Sequence, residues 1–288
     1  MKNLESFSVK KLLIIDGHNL LFQMFYGMPS RIINKDGKAY QGVLGFIGAL
    51  IKIIKMTNPT HLVVLFDSEH KNFRSDLLEE YKSNRIDYSD VPDEDNPFSQ
   101  LEDVYNALDF LRIKHTEAAV FETDDVIASY ALAYGNDMQI IISSFDSDFF
   151  QLINNNVFVL RYRGVKTIIC DTEYIKDKYG ILPAQYADFK SLTGDNSDNI
   201  KGAEKIGLKT AGELLNQFGN LENIINQSQL ITRPSIKESI QRNTRRLRNN
   251  YKIIMLDEKA EIPFTLEELV YSYDGLTTAE VLRGIHLK

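Results

Sequence analysis

Three short apolar runs that each end in an aspartate constrain this chain most strongly. They are KKLLIID at 10–16, HLVVLFD at 61–67 and MQIIISSFD at 138–146. Continuous apolar runs separated by helical patterns are typical of buried parallel strands, and this order favours right-handed crossovers. Because the carboxyl ends of parallel strands lie along one edge of a sheet, we expect Asp16, Asp67 and Asp146 to converge.

Two further acidic segments lie close to these runs in the chain. Residues 122–125, ETDD, open a segment with helical apolar spacing that closes on Gly135. Asp148 follows Asp146 by two residues. Each acid alone could be a helix cap or a partner of the helix dipole. Gathered in one cleft, they would repel one another unless a cation is bound.

A second acidic motif lies in the later part of the chain, where no further buried strand is predicted after residue 171. The stretch 193–211, TGDNSDNIKGAEKIGLKTA, places Asp195 and Asp198 three residues apart, so a helical turn would present both on one side. The glycines and helix start that follow could bind a phosphate through backbone N–H groups, or could be ordinary turns.

The residues that accompany these acids narrow the chemistry. Many oxygen ligands without a Cys or His cluster favour Mg²⁺ or Mn²⁺ and disfavour zinc. The five histidines are scattered, and the phosphate loop Gly-x-x-x-x-Gly-Lys-Ser is absent from the sequence. Carboxylate-rich sites with two cations about 3.5–4 Å apart carry out phosphoryl transfer. Phosphodiester hydrolysis is therefore the inferred reaction.

Composition indicates an ordinary globular protein. The chain has 288 residues, 43% of them hydrophobic and 25% charged, which suits one large or two modest domains. Its single cysteine, Cys170, excludes an internal disulfide framework, which fits a reducing compartment. The N-terminal stretch MKNLESFSVKK has no apolar core of signal-peptide length, and no stretch of the sequence reaches the roughly 18–20 apolar residues of a membrane span. We expect a cytoplasmic protein without a membrane partner.

The net charge of -7 would argue against a polyanionic partner, but its distribution reverses that argument. Setting aside nine acids as metal ligands leaves a framework of +2. Two segments, 71–85 and 233–252, are locally basic. For the second, a solvated helix face explains the charges as well as a binding role does.

Seven motifs along the chain form a recognisable set. They are IIDG at 14–17, LFD at 65–67, FRxxxxxxYKxxR at 73–85, ETDD at 122–125, FDSDFFQL at 145–152, GDNSDNI at 194–200 and GLKTA at 207–211. Over about residues 10–255 the chain resembles the bacterial and phage 5'-3' exonucleases of the flap endonuclease family. That family includes the N-terminal domain of bacterial DNA polymerase I.

The resemblance implies an α/β fold in two parts. Residues 1–180 would form a PIN-like domain with a central, mostly parallel sheet flanked by helices and a helical arch at about 70–97. Residues 181–288 would form a helical domain. Its helix-three-turn-helix, at about 192–215, would grip duplex DNA and hold a K⁺ ion.

The resemblance also implies roles for individual residues, with two Mg²⁺ or Mn²⁺ ions bound. The first metal site would fall to Asp16, Asp67, Glu122, Asp124 and Asp146, and the second to Asp125, Asp148, Asp195 and Asp198. Two catalytic cations would hold the scissile phosphate from one face of a helix, namely Lys82 and Arg85. Positions that contact DNA would be Arg74, Tyr81, Phe25, Gly207, Lys209 and Thr210.

The implied activity is a structure-specific, stand-alone 5'-3' exonuclease and flap endonuclease. It would act as a monomer on DNA with 5' flaps, nicks or free 5' ends, and on RNA–DNA primers, in Okazaki-fragment primer removal and DNA repair. Some positions depart from the family pattern, namely Gln23 for Arg, Ser144-Phe145 for Thr-Gly, and Lys201 and Ala203 for Pro and Val.

Two other classes stay open, a PIN-type ribonuclease and a catalytically silent DNA-binding relative. Simple PIN ribonucleases are shorter and lack the arch and the block at 194–211, which disfavours the first. The presence of all nine acids disfavours the second.

Overall fold

The computed structural model describes residues 10–35, 37–67, 78, 81–84, 86–118 and 121–287. Within these ranges the chain forms one six-stranded sheet covered by helices on both faces. No helix in this part of the chain is long and apolar enough to cross a membrane.

The sheet has the strand order β3-β2-β1-β4-β5-β6. The strands are β1 Lys11–Asp16, β2 His61–Phe66, β3 Lys114–Glu117, β4 Gln139–Ser143, β5 Val157–Arg161 and β6 Ile168–Cys170. The first five are parallel, and β6 returns antiparallel to β5 as a hairpin. The expected α/β class with a mostly parallel sheet is therefore confirmed.

Ten α-helices surround the sheet within the described residues. They are α1 Gly17–Gly27, α2 Gln41–Thr57, α3 Leu101–Phe110, α4 Thr123–Tyr134, α5 Thr172–Tyr179, α6 Tyr186–Thr193, α7 Leu208–Phe218, α8 Leu221–Asn226, α9 Pro234–Ile254 and α10 Thr278–Gly284. Short 3-10 turns connect several of them, and one of these, Asp148–Leu152, follows Asp146.

Alternating side chains of β1 separate the two cores. Leu12 and Ile14 face a cluster built with α4 and the C-terminal helices, whereas Leu13 and Ile15 face a cluster built with α1, α2 and α3. Burying each of these side chains contributes about 1.5–3 kcal/mol. The last helix, α10, packs on α2 and α3. The predicted division into two domains between residues 180 and 181 stays a prediction. Both clusters contain residues from each side of that boundary.

The sheet order reverses between β1 and β4. The chain adds β2 beside β1 on one side of the sheet, and it adds β4 and then β5 on the other side. In open parallel sheets a crevice forms at the carboxyl ends of the strands at this reversal. Asp16 ends β1 and Asp146 follows β4, so both lie at the mouth of that crevice.

Two local expectations are wrong. Residues 194–201 form no helical turn but a hairpin of two short strands, β7 Gly194–Asp195 and β8 Ile200–Lys201. Gly194 has φ +82, and a Cβ there would lie 2.5 Å from the Gly202 backbone nitrogen, so only glycine fits. Residues 81–84 form turns with φ +55 at Lys82, so the expected helix carrying this lysine is interrupted there.

Candidate active site

Asp16 both begins a helix and faces the crevice. Its Oδ1 accepts a hydrogen bond from the Asn19 backbone N–H at 3.1 Å, which caps α1, and its Oδ2 accepts one from the Ser144 hydroxyl at 2.7 Å. Burial, reinforced by the negative charge of Asp67, raises the pKa of Asp16 to about 7. Asp16 is therefore both the cap of α1 and part of the candidate site.

Four acids from four segments line one cavity of about 1020 Å³. These acids are Asp16, Asp67, Asp124 and Asp146. Asp67 is held by the Thr123 backbone N–H, which donates to its Oδ1 at 3.1 Å at the start of α4. Burial, together with the negative charges of Asp146 and Asp67, raises the pKa of Asp124 well above its ordinary value. The predicted convergence of strand-end acids therefore occurs.

Glu122 pairs with Lys82 at the edge of this group. The Lys82 Nζ lies 3.1 Å from Glu122 Oε1, and the two side chains are 19% and 12% exposed. Lys82 also lines the cavity, and its backbone N–H donates to the Asp198 carbonyl at 3.2 Å. Lys82 therefore contacts both Glu122, at the edge of the four acids of the cavity, and Asp198, which belongs to a second acidic group described below. Arg74 and Arg85 lie outside the described residues.

Tyr81 is packed and not free on an exposed arch. Together with Leu78 it contacts a small apolar cluster that contains Ile200 and Ile254, near the C-terminal end of α9. The Lys82 Nζ lies 4.9 Å from the centroid of the Tyr81 ring. Residues 78 and 81, which belong to the predicted arch, are thus packed against the helical half of the chain.

A second acidic group is formed by Asp148, Asp195 and Asp198. Their carboxylate oxygens lie within 4.8 Å of one another, although Asp148 comes from a 3-10 turn and the others from the hairpin at 194–201. Asp146 is close to both groups, since it lines the cavity of the first and its Oδ1 accepts a hydrogen bond from the Asp148 backbone N–H at 2.8 Å. The two groups of acids are thus neighbours.

Lys190 of α6 lies inside the second group, and sequence analysis missed it. Its Nζ forms ion pairs with Asp148 Oδ1 and Asp195 Oδ2. Burial raises the pKa of Asp148 to about 7 although Lys190 opposes the shift. For Asp195, burial is outweighed by Lys190, and its pKa lies below the ordinary value. Nothing in the segment YADFKSLT distinguishes this lysine from a solvated one.

Asp125 is placed differently from the other predicted ligands. It is buried in α4, and its Oδ1 accepts a hydrogen bond from the Asp257 backbone N–H at 2.8 Å. Among the described residues, the group of acids close enough to share a cation comprises Asp148, Asp195 and Asp198, without Asp125. This carboxylate joins α4 to the segment after α9.

A cluster of aromatic side chains lines the same cavity as the acids. It consists of His18, Phe22, Tyr26, Tyr88 and Phe98, with neighbouring ring centroids 5.2 to 6.4 Å apart. His18, Phe22 and Tyr26 follow one another at intervals of four residues, and this helical spacing is the sequence signal that could have identified them as one face of α1. Phe25, the predicted contact, is 7% exposed and lies beside Gly42 of α2, whereas Phe22 and Tyr26 of α1 line the cavity.

The positions that depart from the family pattern are integrated into the site. Gln23 Nε2 donates to the Tyr162 carbonyl at 2.6 Å. The Ser144 hydroxyl donates to Asp16 and accepts from the Asp146 backbone N–H at 3.0 Å, which ties two acids together. Phe145 lies under Arg163, whose guanidinium is 4.8 Å from its ring centroid. Ala203 is buried and Lys201 is exposed.

The predicted duplex contacts lie at the start of α7. Gly207 is its N-cap, and both Gly207 and Lys209 are exposed, while Thr210 is half-buried. Along α9, part of the basic segment forms exposed ion pairs, such as Arg246 with Glu204 at 2.9 Å and Arg248 with Glu222. Those arginines support the solvated-face alternative for this helix.

The donor set fits hard divalent cations. Both groups offer carboxylate oxygens, and burial with mutual repulsion leaves several of them with raised pKa values that a cation would relieve. His18, which also lines the cavity, uses its Nδ1 to accept from the Asp67 backbone N–H at 3.1 Å. Divalent metal use is therefore indicated by the buried acidic cluster.

Comparison with known proteins agrees with this geometry. A family described as 5'-3' exonuclease, N-terminal resolvase-like domain, matches residues 11–180, and its C-terminal SAM fold matches residues 181–274. The chain belongs to the 5'-3' exonuclease family. It is 33% identical to a 5'-3' exonuclease of Buchnera aphidicola, over 95% of this chain and 96% of that protein. The resemblance found in the sequence motifs is thereby confirmed.

Longer relatives match over part of their length. The chain is 33% identical to DNA polymerase I of Streptococcus pneumoniae over 91% of this chain but 30% of that protein. Among solved structures, T5 5'-exonuclease with bound zinc has a TM-score of 0.71 at 21% identity, covering 96% of this chain and 100% of the other. The catalytic core of Rad2 with a DNA substrate has a TM-score of 0.57 at 16% identity, covering 98% and 94%. These structures share the fold.

Proposed function

We propose that the protein is a 5'-3' exonuclease and flap endonuclease that hydrolyses DNA phosphodiester bonds near 5' ends. The observation that carries the proposal is the cavity in which Asp16, Asp67, Asp124 and Asp146 lie with Lys82. Four carboxylates around one cavity are suited to binding cations that accept phosphate oxygens. Lys82 adds a positive charge where a scissile phosphate would enter.

Two Mg²⁺ or Mn²⁺ ions are the cofactors in this proposal. The first group of acids, with Glu122, would hold one ion, and Asp148, Asp195 and Asp198 would hold the other. Such ions, when bound, activate water and stabilise the leaving oxygen of a phosphodiester. A K⁺ ion at residues 192–215 belongs to the same proposal.

The residues of the chain have three tasks in this proposal. Ser144 and Asn19 hold carboxylates or their loops in position through hydrogen bonds. Lys82 attracts the phosphate and offsets the negative charge of the site. Phe22 and its aromatic neighbours offer faces for unpaired bases, and such stacking contributes about 1–3 kcal/mol per base.

The substrates proposed are DNA with 5' flaps, nicks or free 5' ends, and RNA–DNA primers. Exposed Lys209, with the Gly207 N–H at the start of α7, would hold the phosphates of the duplex. The enzyme would act as a cytoplasmic monomer in primer removal and repair.

The test is to incubate the purified protein with a 5'-labelled DNA flap, and separately with single-stranded RNA of the same sequence. With Mg²⁺ we expect cleavage of the flap near the junction and little cleavage of the RNA. EDTA should abolish cleavage. Faster cleavage of RNA would favour the PIN-type ribonuclease, and tight flap binding without cleavage would favour the silent relative.

A further inference from the structure

The second acidic group contains a positive charge that the proposed reaction does not use. The Lys190 side chain is 7% exposed, and its ammonium forms ion pairs with Asp148 and Asp195. A buried ammonium needs such partners because desolvation is costly. Its place is therefore fixed by the same carboxylates that would hold the second divalent cation.

The helix that carries Lys190 has little freedom to move. Asn250 of α9 donates through Nδ2 to the carbonyls of Ser191 at 3.1 Å and Lys201 at 2.9 Å, which joins α9 to α6 and β8. Asp188 accepts from the Leu221 backbone N–H at 2.9 Å and joins α6 to α8. The Lys190 backbone is thus anchored, and only its side chain can withdraw from the acids.

The acids are also held individually. Asp195 Oδ1 accepts from the Ser197 backbone N–H at 2.7 Å while its Oδ2 contacts Lys190. The Asp148 backbone N–H donates to Asp146 Oδ1 at 2.8 Å while its own Oδ1 contacts Lys190. A carboxylate oxygen that already bonds the Lys190 ammonium is less available to a divalent cation. A divalent cation bound to the same carboxylates would also repel the positive charge of Lys190.

We propose that Lys190 is a positioning residue for the second metal site, where its ammonium holds Asp148 and Asp195 together and competes with the divalent cation for them. The inference rests on the proposed function, because it presumes that these acids bind metal. Its consequence is an order of filling. The first group of acids binds its ion at lower metal concentration than the second, where binding must displace a lysine.

The test compares Mn²⁺ binding to the wild type and to Lys190→Met by isothermal titration calorimetry without DNA. The wild type is expected to show a tighter and a weaker site. In Lys190→Met the weaker site should bind about tenfold more tightly, within the usual range of coupling between sites, and the tighter site should change little. Lys176→Met, which removes an exposed lysine of α5, is the matched control and should leave both sites unchanged.

Thermal unfolding gives a second readout that does not involve cleavage. In EDTA, Lys190→Met should melt below the wild type because Asp148 and Asp195 lose their counter-ion, and Mn²⁺ should then raise its melting temperature by a larger amount. Lys190→Gln keeps a hydrogen-bond donor without the charge and serves if the methionine variant does not fold.

The outcomes separate the two proposals. Two wild-type sites with unchanged or weaker Mn²⁺ binding in both Lys190 variants would overturn the competition and leave the proposed function intact. A wild type that binds no divalent cation would contradict the proposed function itself, and the inference with it.

Discussion

At the scale of single residues, the site depends on carboxylates that are costly to ionise. Asp16 and Asp148 are buried and Asp124 is half-buried among other acids, and removal from water together with the repulsion between these acids raises their pKa values. This cost of ionisation is tolerable where a bound cation offsets the negative charges. The burial of these acids thus favours both proton and metal binding, and the two must compete.

This competition predicts a pH dependence of stability to which Asp16 should contribute. The native pKa of about 7 exceeds the ordinary 3.8, so the native state keeps this proton longer than the unfolded chain does. The contribution of Asp16 to stability is therefore greatest below pH 3.8 and is lost as the pH rises to about 7. In EDTA, the free energy of unfolding relative to Asp16→Asn should fall by roughly 4 kcal/mol over that window.

Chemical denaturation of both proteins at several pH values would check this. Parallel stability curves for wild type and Asp16→Asn would contradict a raised pKa at Asp16. Adding Mg²⁺ should reverse much of the fall, because the metal binds the ionised form.

Part of the site was predictable residue by residue, and part was not. Asp16, Asp67 and Asp146 followed from apolar runs that end in acids, because a parallel sheet aligns such ends. Lys190 could not be found this way, since its partners come from a turn and a hairpin whose folding the local pattern does not indicate. Phe25, which the resemblance implies as a DNA contact, is buried, whereas Phe22 lines the cavity.

At the scale of elements, the segment that carries Lys82 is bound to the rest of the site. Its backbone bonds to Asp198, its ammonium pairs with Glu122, and Tyr81 packs beside it. The resemblance implied a helix that carries Lys82 here, and the local sequence does not indicate what packs on this segment. The turns at 81–84 instead connect the two acidic groups.

Lys82→Ala should slow single-turnover cleavage of a DNA flap by about 100-fold, because a positioned cation at a developing negative charge contributes about 3 kcal/mol. Stability should fall as well, by about 1–3 kcal/mol, because Glu122 would keep its charge in a largely buried place without this partner. Rapid-quench kinetics and thermal unfolding measure the two effects.

The double variant Lys82→Ala, Glu122→Gln is the control. It should recover most of the lost stability without recovering the cleavage rate. Normal cleavage by Lys82→Ala would refute the role of this lysine, and an unchanged stability would refute the buried pair.

At the scale of the whole molecule, the last helix closes the N-terminal core. Leu282 of α10 is 1% exposed and packs among residues of α2 and α3, and a Cβ on Gly284 would lie 2.3 Å from the Phe110 ring. The family match ends at residue 274, before this helix. The predicted second domain, 181–288, therefore contains a helix that belongs by contact to the first.

Leu282→Ala should lower the free energy of unfolding by about 2–5 kcal/mol, because it leaves a cavity beneath α10. The unfolding should stay a single transition, since the two cores share the strands of one sheet. Flap cleavage well below the melting temperature should be unchanged. Two separate transitions by circular dichroism, or a loss of cleavage without a loss of stability, would contradict this account.

The central claim is that the acids at the strand ends are the catalytic metal ligands, and Asp146 tests it most directly because its charge acts on both groups. Single-turnover cleavage of a 5'-labelled flap in Mg²⁺ should be at least about 100- to 1000-fold slower for Asp146→Asn than for wild type, with flap binding retained. Asp177→Asn, which removes an exposed charge on α5, should cleave normally. Near-normal cleavage by Asp146→Asn would contradict the account.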